Sequence, residues 1–570
     1  MLTRSRKDIS TPPGRPYAFL KGDNRNLKPY SCVLRKYKGD LPAFLSLLAI
    51  DLCGGAGVKV NLDNFKSFAP ISANWGFYLD PEHPDFTKMS PDQAKLYTTI
   101  KPKDRIIRPD DSMSGENGLR ASWESFIMGL APFSPLRNNR IVVDLSNLRP
   151  AGSVNSVGLE ASGALGQGKP GETSFLSIYE AIANHLSGGD IATLLVLLGT
   201  LNETLRRGGF KRGIICTSLS YNHPQIENYL NFPNYTCPGG HKKAVRLDAG
   251  ILNKGESFLE LLAESCEKES TFLEKIKPKR PDLYANVCQG LAIPDGGICT
   301  LWRINLGMIE EIDQIPLAMV EGTIDAMNLH LNWRNKFTPE ELAHVPTLKE
   351  DKQIGLDIMG MASMLAHFEV SYEDFTRELR RFNEDESFNP RYHSVVANRL
   401  LKALAAGYGW SSLVADNMCE EAGLLPLERI HTVEPSQRHF TDCDDVEGFT
   451  TTRCIFPPFE RTQRRVSDHE EQKIYHHNPK IETAAEVGAT LNYEFACEWK
   501  RFMDTVARPH GYMSFDSFEP ITPNWIKKFI ESPLESKYYS EASRFDQSFM
   551  KKDSAVCELG RADECLVCSE

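Results

Sequence analysis

Tyr284-Ala-Asn-Val-Cys-Gln-Gly290, followed eleven positions after its cysteine by the second cysteine of Gly297-Ile-Cys-Thr-Leu301, is the stretch around which the chain is best read. The second cysteine opens Ile298-Cys-Thr-Leu-Trp-Arg-Ile-Asn-Leu306, an apolar run of strand character. Ile141-Val-Val-Asp-Leu145 and Gly213-Ile-Ile-Cys-Thr-Ser-Leu219 are further strand candidates, and Val58, Val60 and Leu62 alternate with polar neighbours as in a half-buried strand. Helical spacing of apolar residues marks 42–52, 175–186, 316–331, 354–368, 396–405 and 482–506. Strands alternating with helices from about residue 31 predict an α/β fold.

Around that frame, residues 1–30 are polar and carry Thr11-Pro-Pro-Gly-Arg-Pro16, which reads as an N-terminal arm. Residues 66–140 hold many Pro, Asp and Lys and few periodic runs, and read as an insertion or surface lobe. Residues 31–532 are expected to form one domain, and 533–570 a C-terminal segment ending in a mobile tail. The longest apolar run, Ile191 to Leu201, is too short to span a bilayer and predicts a buried helix. No secretory signal is visible at the start, and the 14 cysteines suit a reducing compartment, so a cytoplasmic protein with no membrane association is expected. A net charge of −11 lacks the Lys/Arg surplus of a nucleic-acid binder, while leaving room for local phosphate sites.

Three distant segments complete the pattern around Cys288 and Cys299: Tyr30-Ser-Cys-Val-Leu34, Lys537-Tyr-Tyr-Ser540 and Glu564-Cys-Leu-Val-Cys-Ser-Glu570. Each has a plainer reading by itself. A buried cysteine usually packs, adjacent tyrosines usually mark an amphipathic surface, and a Cys-x-x-Cys is two ligands short of zinc unless His476, His477 or Cys557 join it. In this order and approximate spacing the segments resemble the catalytic subunit of aerobic ribonucleotide reductase, over roughly residues 30–570. That resemblance implies a ten-stranded α/β barrel of two five-stranded halves, with Cys288 on a finger loop inside it.

The chemistry implied by the resemblance needs several sulfurs in separate roles. Polar side chains cannot break the inert 3′ C–H bond of a ribose, whereas a thiyl radical can, and a thiol pair can then supply two electrons. Cys288 resembles the thiyl position and Asn286 the partner of a substrate hydroxyl. Cys32 and Cys299 resemble the reducing pair; 267 positions separate them, so only a fold that joins distant strands could pair them. Cys565 and Cys568 resemble the tail that resets the resulting disulfide for thioredoxin or glutaredoxin. Tyr538 and Tyr539 resemble the dyad that receives a radical from a separate metal-containing small subunit, in which case this chain itself holds no metal or cofactor. Adenosylcobalamin as radical source is the alternative, and a non-catalytic reductase-like binding protein is a third reading.

Other segments extend the resemblance. Ser31, and Thr432 and Ser436 in Thr432-Val-Glu-Pro-Ser436, resemble substrate-binding positions, the last two at a phosphate-binding turn; ordinary helix capping is the competing reading. Asp40, Arg207 and Arg212, the arginines within Arg206-Arg-Gly-Gly-Phe-Lys-Arg-Gly213, resemble effector-nucleotide positions. A nucleoside diphosphate substrate, an effector nucleotide and a homodimer are therefore expected. The N-terminal helical region and regulatory ATP-cone of many relatives are not seen in this sequence. It also departs at Gly290, where relatives carry a glutamate as general base. A carboxylate from another loop, a bound small acid such as formate, or impaired catalysis are the alternatives.

Overall fold

In a computed structural model the described residues are mainly 32–39, 57–67, 75–88, 99–109, 140–150, 189–206, 214–233, 241–268, 271–299, 301–332, 353–386, 393–433, 454–459, 478–507 and 512–540. Ser10–Thr11, Gly152, Ser153, parts of a helix between Leu41 and Asp51, and four short strands between Phe440 and His476 complete them. The chain forms two compact units, one of Gly22–Ala244 and one of Met1–Lys21 with Val245–Glu570. The expected helix over 175–186 lies outside the described residues.

In the first unit, strands β1 (Cys32–Lys36) and β2 (Gly57–Asn61) lie in one parallel sheet; β3 (Trp75–Tyr78), β4 (Arg105–Ile107) and β5 (Ile141–Asp144) form another. Strand β6 (Ile214–Ser220) extends the first sheet on the far side of β2, and β7 (Lys242–Leu247) carries the chain into the second unit. The order β1-β2-β6 sets Leu34, Lys59 and Cys216 abreast. Such strands are covered on both faces, as parallel sheets generally are. Hence Lys59 and Asn61, expected on a solvated face of a half-buried strand, are buried with Val58 and Val60. The lobe over 66–140 supplies two of the three strands in the order β3-β5-β4. Helix α1 (Ile191–Arg206) is the helix expected from the apolar run, and buries Leu194, Leu195, Leu197 and Leu198. The Asp190 carboxylate begins it by accepting from the Thr193 amide at 2.9 Å.

The second unit is built on β8 (Phe272–Lys275), β9 (Leu301–Asn305), β10 (Gln353–Met359), β11 (Arg429–Val433), β12 (Tyr512–Ser517) and β13 (Ser536–Ser540). Their order is β9-β10-β11-β12-β13-β8; the first five are parallel, and β8 runs antiparallel to β13. Helices α2 (Glu256–Lys268), α3 (Ile315–Asn332), α4 (Met361–His367), α5 (Tyr372–Asn383), α6 (Val395–Glu421), α7 (Ala489–Val506) and α8 (Pro523–Glu531) accompany them. The α3–α6 crossing is close because Gly407 presents no side chain: a Cβ there would stand 2.4 Å from the Met319 sulfur.

The helix expected over 354–368 is instead β10, a turn and α4. Ile354, Ile358, Met361 and Leu365 satisfy a helical period, but Ile354, Leu356 and Ile358 satisfy a strand period equally well. Gly360 settles the matter at φ +80°, where a Cβ would lie 2.3 Å from the Gly307 nitrogen. Similarly, the run over 482–506 is two helices divided at Gly488, also at φ +80°. The α/β class expected from alternating strands and helices is the class observed. Among the described residues no helix is long and apolar enough to cross a membrane.

Candidate active site on the Cys288 loop

Cys288 sits at the turn of a two-stranded hairpin, Tyr284–Ala285 against Ala292–Ile293. At its base the Arg246 guanidinium stacks 3.7 Å from the centre of the Tyr284 ring and donates to the Pro281 carbonyl at 2.9 Å. Leu283, Ala285 and Ala292 pack against Tyr512 of β12, so the hairpin is buried from its root. The Asn286 amide donates to the Leu291 carbonyl at 2.7 Å and closes the loop. Beyond the hairpin, Gly296 at φ +78° and Gly297 make the turn leading to Cys299. A Cβ on Gly297 would meet the Pro294 ring at 2.6 Å. Cys288 and Cys299 are both buried.

Two side-chain hydroxyls hold the backbone just after Cys288. Ser536, the first residue of β13, donates to the Gln289 carbonyl at 2.8 Å, and Thr432 of β11 donates to the Gly290 carbonyl. Thr432 therefore supports this loop with its single hydroxyl hydrogen. Its neighbour His431 points to the opposite face, 4.5 Å from the Tyr408 ring, and burial pushes its imidazole down to about 3. Gln289 is held at φ +61°, an uncommon conformation for a residue other than glycine.

The side chains of Asn286 and Gln289 have fixed senses. Gln289 Nε2 donates to the Asn286 carbonyl at 3.0 Å, and Asn286 Oδ1 accepts from the Leu291 amide at 3.2 Å. The opposite atom of each amide, Asn286 Nδ2 and Gln289 Oε1, is buried without a hydrogen-bond partner among the described residues. At Gly290 there is no carboxylate, and Gln289 cannot serve as a base because an amide has no useful basicity.

The tyrosines share the strand that holds this loop. From Phe515 to Ser517 β12 advances two residues, while β13 advances three, from Lys537 to Ser540. One residue of Tyr538–Tyr539 is therefore extra, a β-bulge that abolishes the usual alternation of side chains. Both rings fall on Phe272, at 4.3 and 5.4 Å, and stand 4.2 Å from one another. The Tyr539 amide donates to the Asp516 carboxylate at 3.1 Å.

A partly buried ionic group stands just before the same strand. Burial favours the neutral form of Glu535, but the Lys277 and Lys500 ammonium groups outweigh it and hold the carboxyl below its ordinary value. Glu535 also accepts from the Met513 amide at 2.8 Å and pairs with Lys277, tying β12 to β13. Tyr512 bonds to Ser536; burial first, then Glu535 and Glu274, keep its phenol protonated well above the usual range.

In the other unit Cys32 is buried at the start of β1. The Arg35 guanidinium holds the buried Asp51 carboxylate through two bonds, at 2.7 and 3.0 Å, anchoring that strand to the helix that follows it. Lys59 lies 3.6 Å from the Cys216 sulfur on the strand face that also carries Leu34. Ser31, Asp40, Arg207, Arg212, Ser436, Cys565 and Cys568 lie outside the described residues. Sequence reasoning missed Ser536 and the side chain of Gln289. The segment Glu535-Ser-Lys-Tyr-Tyr539 carries no signal for a contact 247 residues away, whereas Gln289 stood beside the cysteine and was weighed only as a base. Among the described residues no group of three or more His, Cys, Asp or Glu side chains could hold a metal ion.

No protein-family model matches the chain, and no curated protein does. Among solved structures it is similar to a B12-dependent (class II) ribonucleotide reductase, at 12% sequence identity and a TM-score of 0.60. The match covers 96% of this chain and 87% of that one, so the two share an α/β fold across nearly their whole lengths.

Proposed function

We propose that this chain is the catalytic subunit of a ribonucleotide reductase, converting ribonucleoside diphosphates to 2′-deoxyribonucleotides for DNA synthesis. The observation that carries the reading is the Cys288 loop: a buried cysteine on a hairpin, gripped at the next residue by the strand bearing two tyrosines in ring contact. A thiyl radical on Cys288 takes the 3′-hydrogen of the ribose as a whole atom. The 2′-hydroxyl then leaves as water, with two electrons and the required protons coming from the Cys32 and Cys299 thiols, which become a disulfide. Cys288 returns the hydrogen atom to carbon 3′ and regains its radical. Cys565 and Cys568 reduce the disulfide by thiol exchange and are themselves reduced by thioredoxin or glutaredoxin.

Asn286 faces a substrate hydroxyl in this reading, while Ser31, Thr432 and Ser436 line the diphosphate end. Thr432 does so while its hydroxyl supports Gly290. Asp40, Arg207 and Arg212 take an effector nucleotide in a homodimer. With Gly290 in place of the relatives' glutamate, the base is a carboxylate from another loop or a bound small acid such as formate.

The ring contact of Tyr538 and Tyr539 favours a radical delivered by a separate metal-containing subunit, since phenols in contact can pass an electron and a proton in short steps. A second reading, with adenosylcobalamin as the source, is favoured by the likeness to a B12-dependent enzyme. Either supply leaves the tasks of Cys288, Cys32 and Cys299 unchanged. Deoxynucleotide formation, measured with a dithiol reductant and either adenosylcobalamin or a radical-donating subunit, tests both. Turnover with one supply identifies the source; no product with either, with and without formate, contradicts the proposal.

A further inference from the structure

We infer that Gln289 is a substrate-binding residue whose Oε1 accepts a hydrogen bond from the 3′-hydroxyl of the ribose; this rests on the reductase reading. Two polar atoms of the loop are left with unused hydrogen-bonding capacity. Asn286 Nδ2 is a buried donor and Gln289 Oε1 a buried acceptor, and neither has a hydrogen-bond partner among the described residues. Their orientation is not free to reverse, because each amide uses its other atom on the loop backbone, at 3.0 and 3.2 Å. Leaving such atoms unpaired costs on the order of 1–3 kcal/mol each, so their retention beside Cys288 points to a ligand that supplies what is missing.

The missing partner must offer one acceptor and one donor within the reach of a four-residue span of the loop. Adjacent hydroxyls on a sugar ring meet that requirement, because one oxygen can accept from Asn286 Nδ2 while its neighbour donates to Gln289 Oε1. The hydroxyl assigned to Gln289 is the one on carbon 3′, since Gln289 follows directly on the sulfur that takes the hydrogen from that carbon. The backbone supports the assignment. Gln289 adopts φ +61° while Ser536 holds its carbonyl, a conformation that must be imposed by its surroundings. As an amide oxygen, Oε1 orients and polarises the hydroxyl but cannot remove its proton. The role therefore differs from that of a general base and leaves that role to another group.

The test is equilibrium binding to the full chain with no radical source present, so that no turnover intervenes. The probes are a ribonucleoside diphosphate and its 3′-deoxy analogue, measured with the parent, with Gln289→Met and with Gln289→Gly. Methionine keeps the side-chain volume without the acceptor, and glycine removes the acceptor while relaxing the left-handed backbone. The parent is expected to bind the ribonucleotide about tenfold more tightly than the analogue, and both variants to lose that preference while keeping the affinity for the analogue. Should methionine prevent folding, as judged by thermal unfolding, the glycine variant carries the comparison. Undiminished preference for the 3′-hydroxyl in either folded variant overturns the inference while leaving the reductase reading intact. Failure of the parent to bind any nucleotide overturns both.

Discussion

The hydroxyl of Ser536 donates to the carbonyl of Gln289 at 2.8 Å across 247 residues of chain, joining the first residue of the tyrosine strand to the residue after Cys288. The bond makes the sulfur's position depend on the strand proposed to deliver the radical. Ser536→Ala is expected to lower stability by roughly 1 kcal/mol, the ordinary value of one such bond. The same change should reduce kcat about tenfold with KM unaltered, because the loop relaxes from its reactive geometry. Thermal unfolding and steady-state kinetics check the two effects, and Ser536→Thr, which restores the hydroxyl, should recover most of the rate.

Tyr538 and Tyr539 share a contact with Phe272, which gives each ring a packing function independent of its hydroxyl. Tyr538→Phe and Tyr539→Phe keep that packing and should therefore lower stability by no more than about 1.5 kcal/mol, the value of one hydrogen bond. If a partner subunit supplies the radical, each change should reduce deoxynucleotide formation at least a hundredfold, since phenylalanine cannot pass a proton with the electron. Under supply from adenosylcobalamin the same variants should turn over at the parental rate. Measuring both variants under both supplies separates the two sources.

Glu535 sets an acid limit on the same strand. Its folded carboxyl lies below the ordinary value because Lys277 and Lys500 outweigh the effect of burial. The folded state thus binds the proton less well than the unfolded chain. The stabilisation is complete above the unfolded carboxyl value, about 4.3 for glutamate, and is lost as pH falls through the lower folded value. Glu535→Gln should cost roughly 1–2 kcal/mol at neutral pH, because it removes the charge paired with the partly buried Lys277 ammonium while Lys500 keeps its pair with Asp504. The difference between parent and variant should shrink on acidification, as followed by denaturant unfolding from pH 7 to pH 3.

Gly360 joins β10 to α4 at φ +80° with the Gly307 backbone directly against it. Gly360→Ala combines backbone strain with a steric clash and should lower stability by roughly 2–4 kcal/mol. A melting temperature equal to the parent's would show that the turn can move aside.

The sequence carried the α/β alternation and the Cys288 segment plainly, because short-range periods and local motifs are written in consecutive residues. Long apolar strands such as β6 and the helix α1 were legible for the same reason. Where two periods coincide, as over Ile354–Leu365, the pattern alone could not choose, and a glycine conformation decided. The burial of Lys59 was likewise hidden, since alternation with Val58 and Val60 reads as a solvated face unless the neighbouring strands are known. Within the candidate site, the tyrosines were visible as a pair, but their ring contact depends on a bulge set by the mismatch between β12 and β13. The contacts of Ser536 and Thr432 with the loop are made across long stretches of chain, and no local pattern encodes them.

The most direct measurement is hydrogen exchange at carbon 3′ during turnover, using a 3′-deuterated ribonucleoside diphosphate with whichever radical supply supports activity. A sulfur that removes and returns this hydrogen predicts a primary isotope effect on product formation in the parent, with neither product nor isotope exchange in Cys288→Ser. Deoxynucleotide formation by Cys288→Ser at the parental rate would contradict the account, because reduction would then proceed without the sulfur on which the proposed chemistry turns.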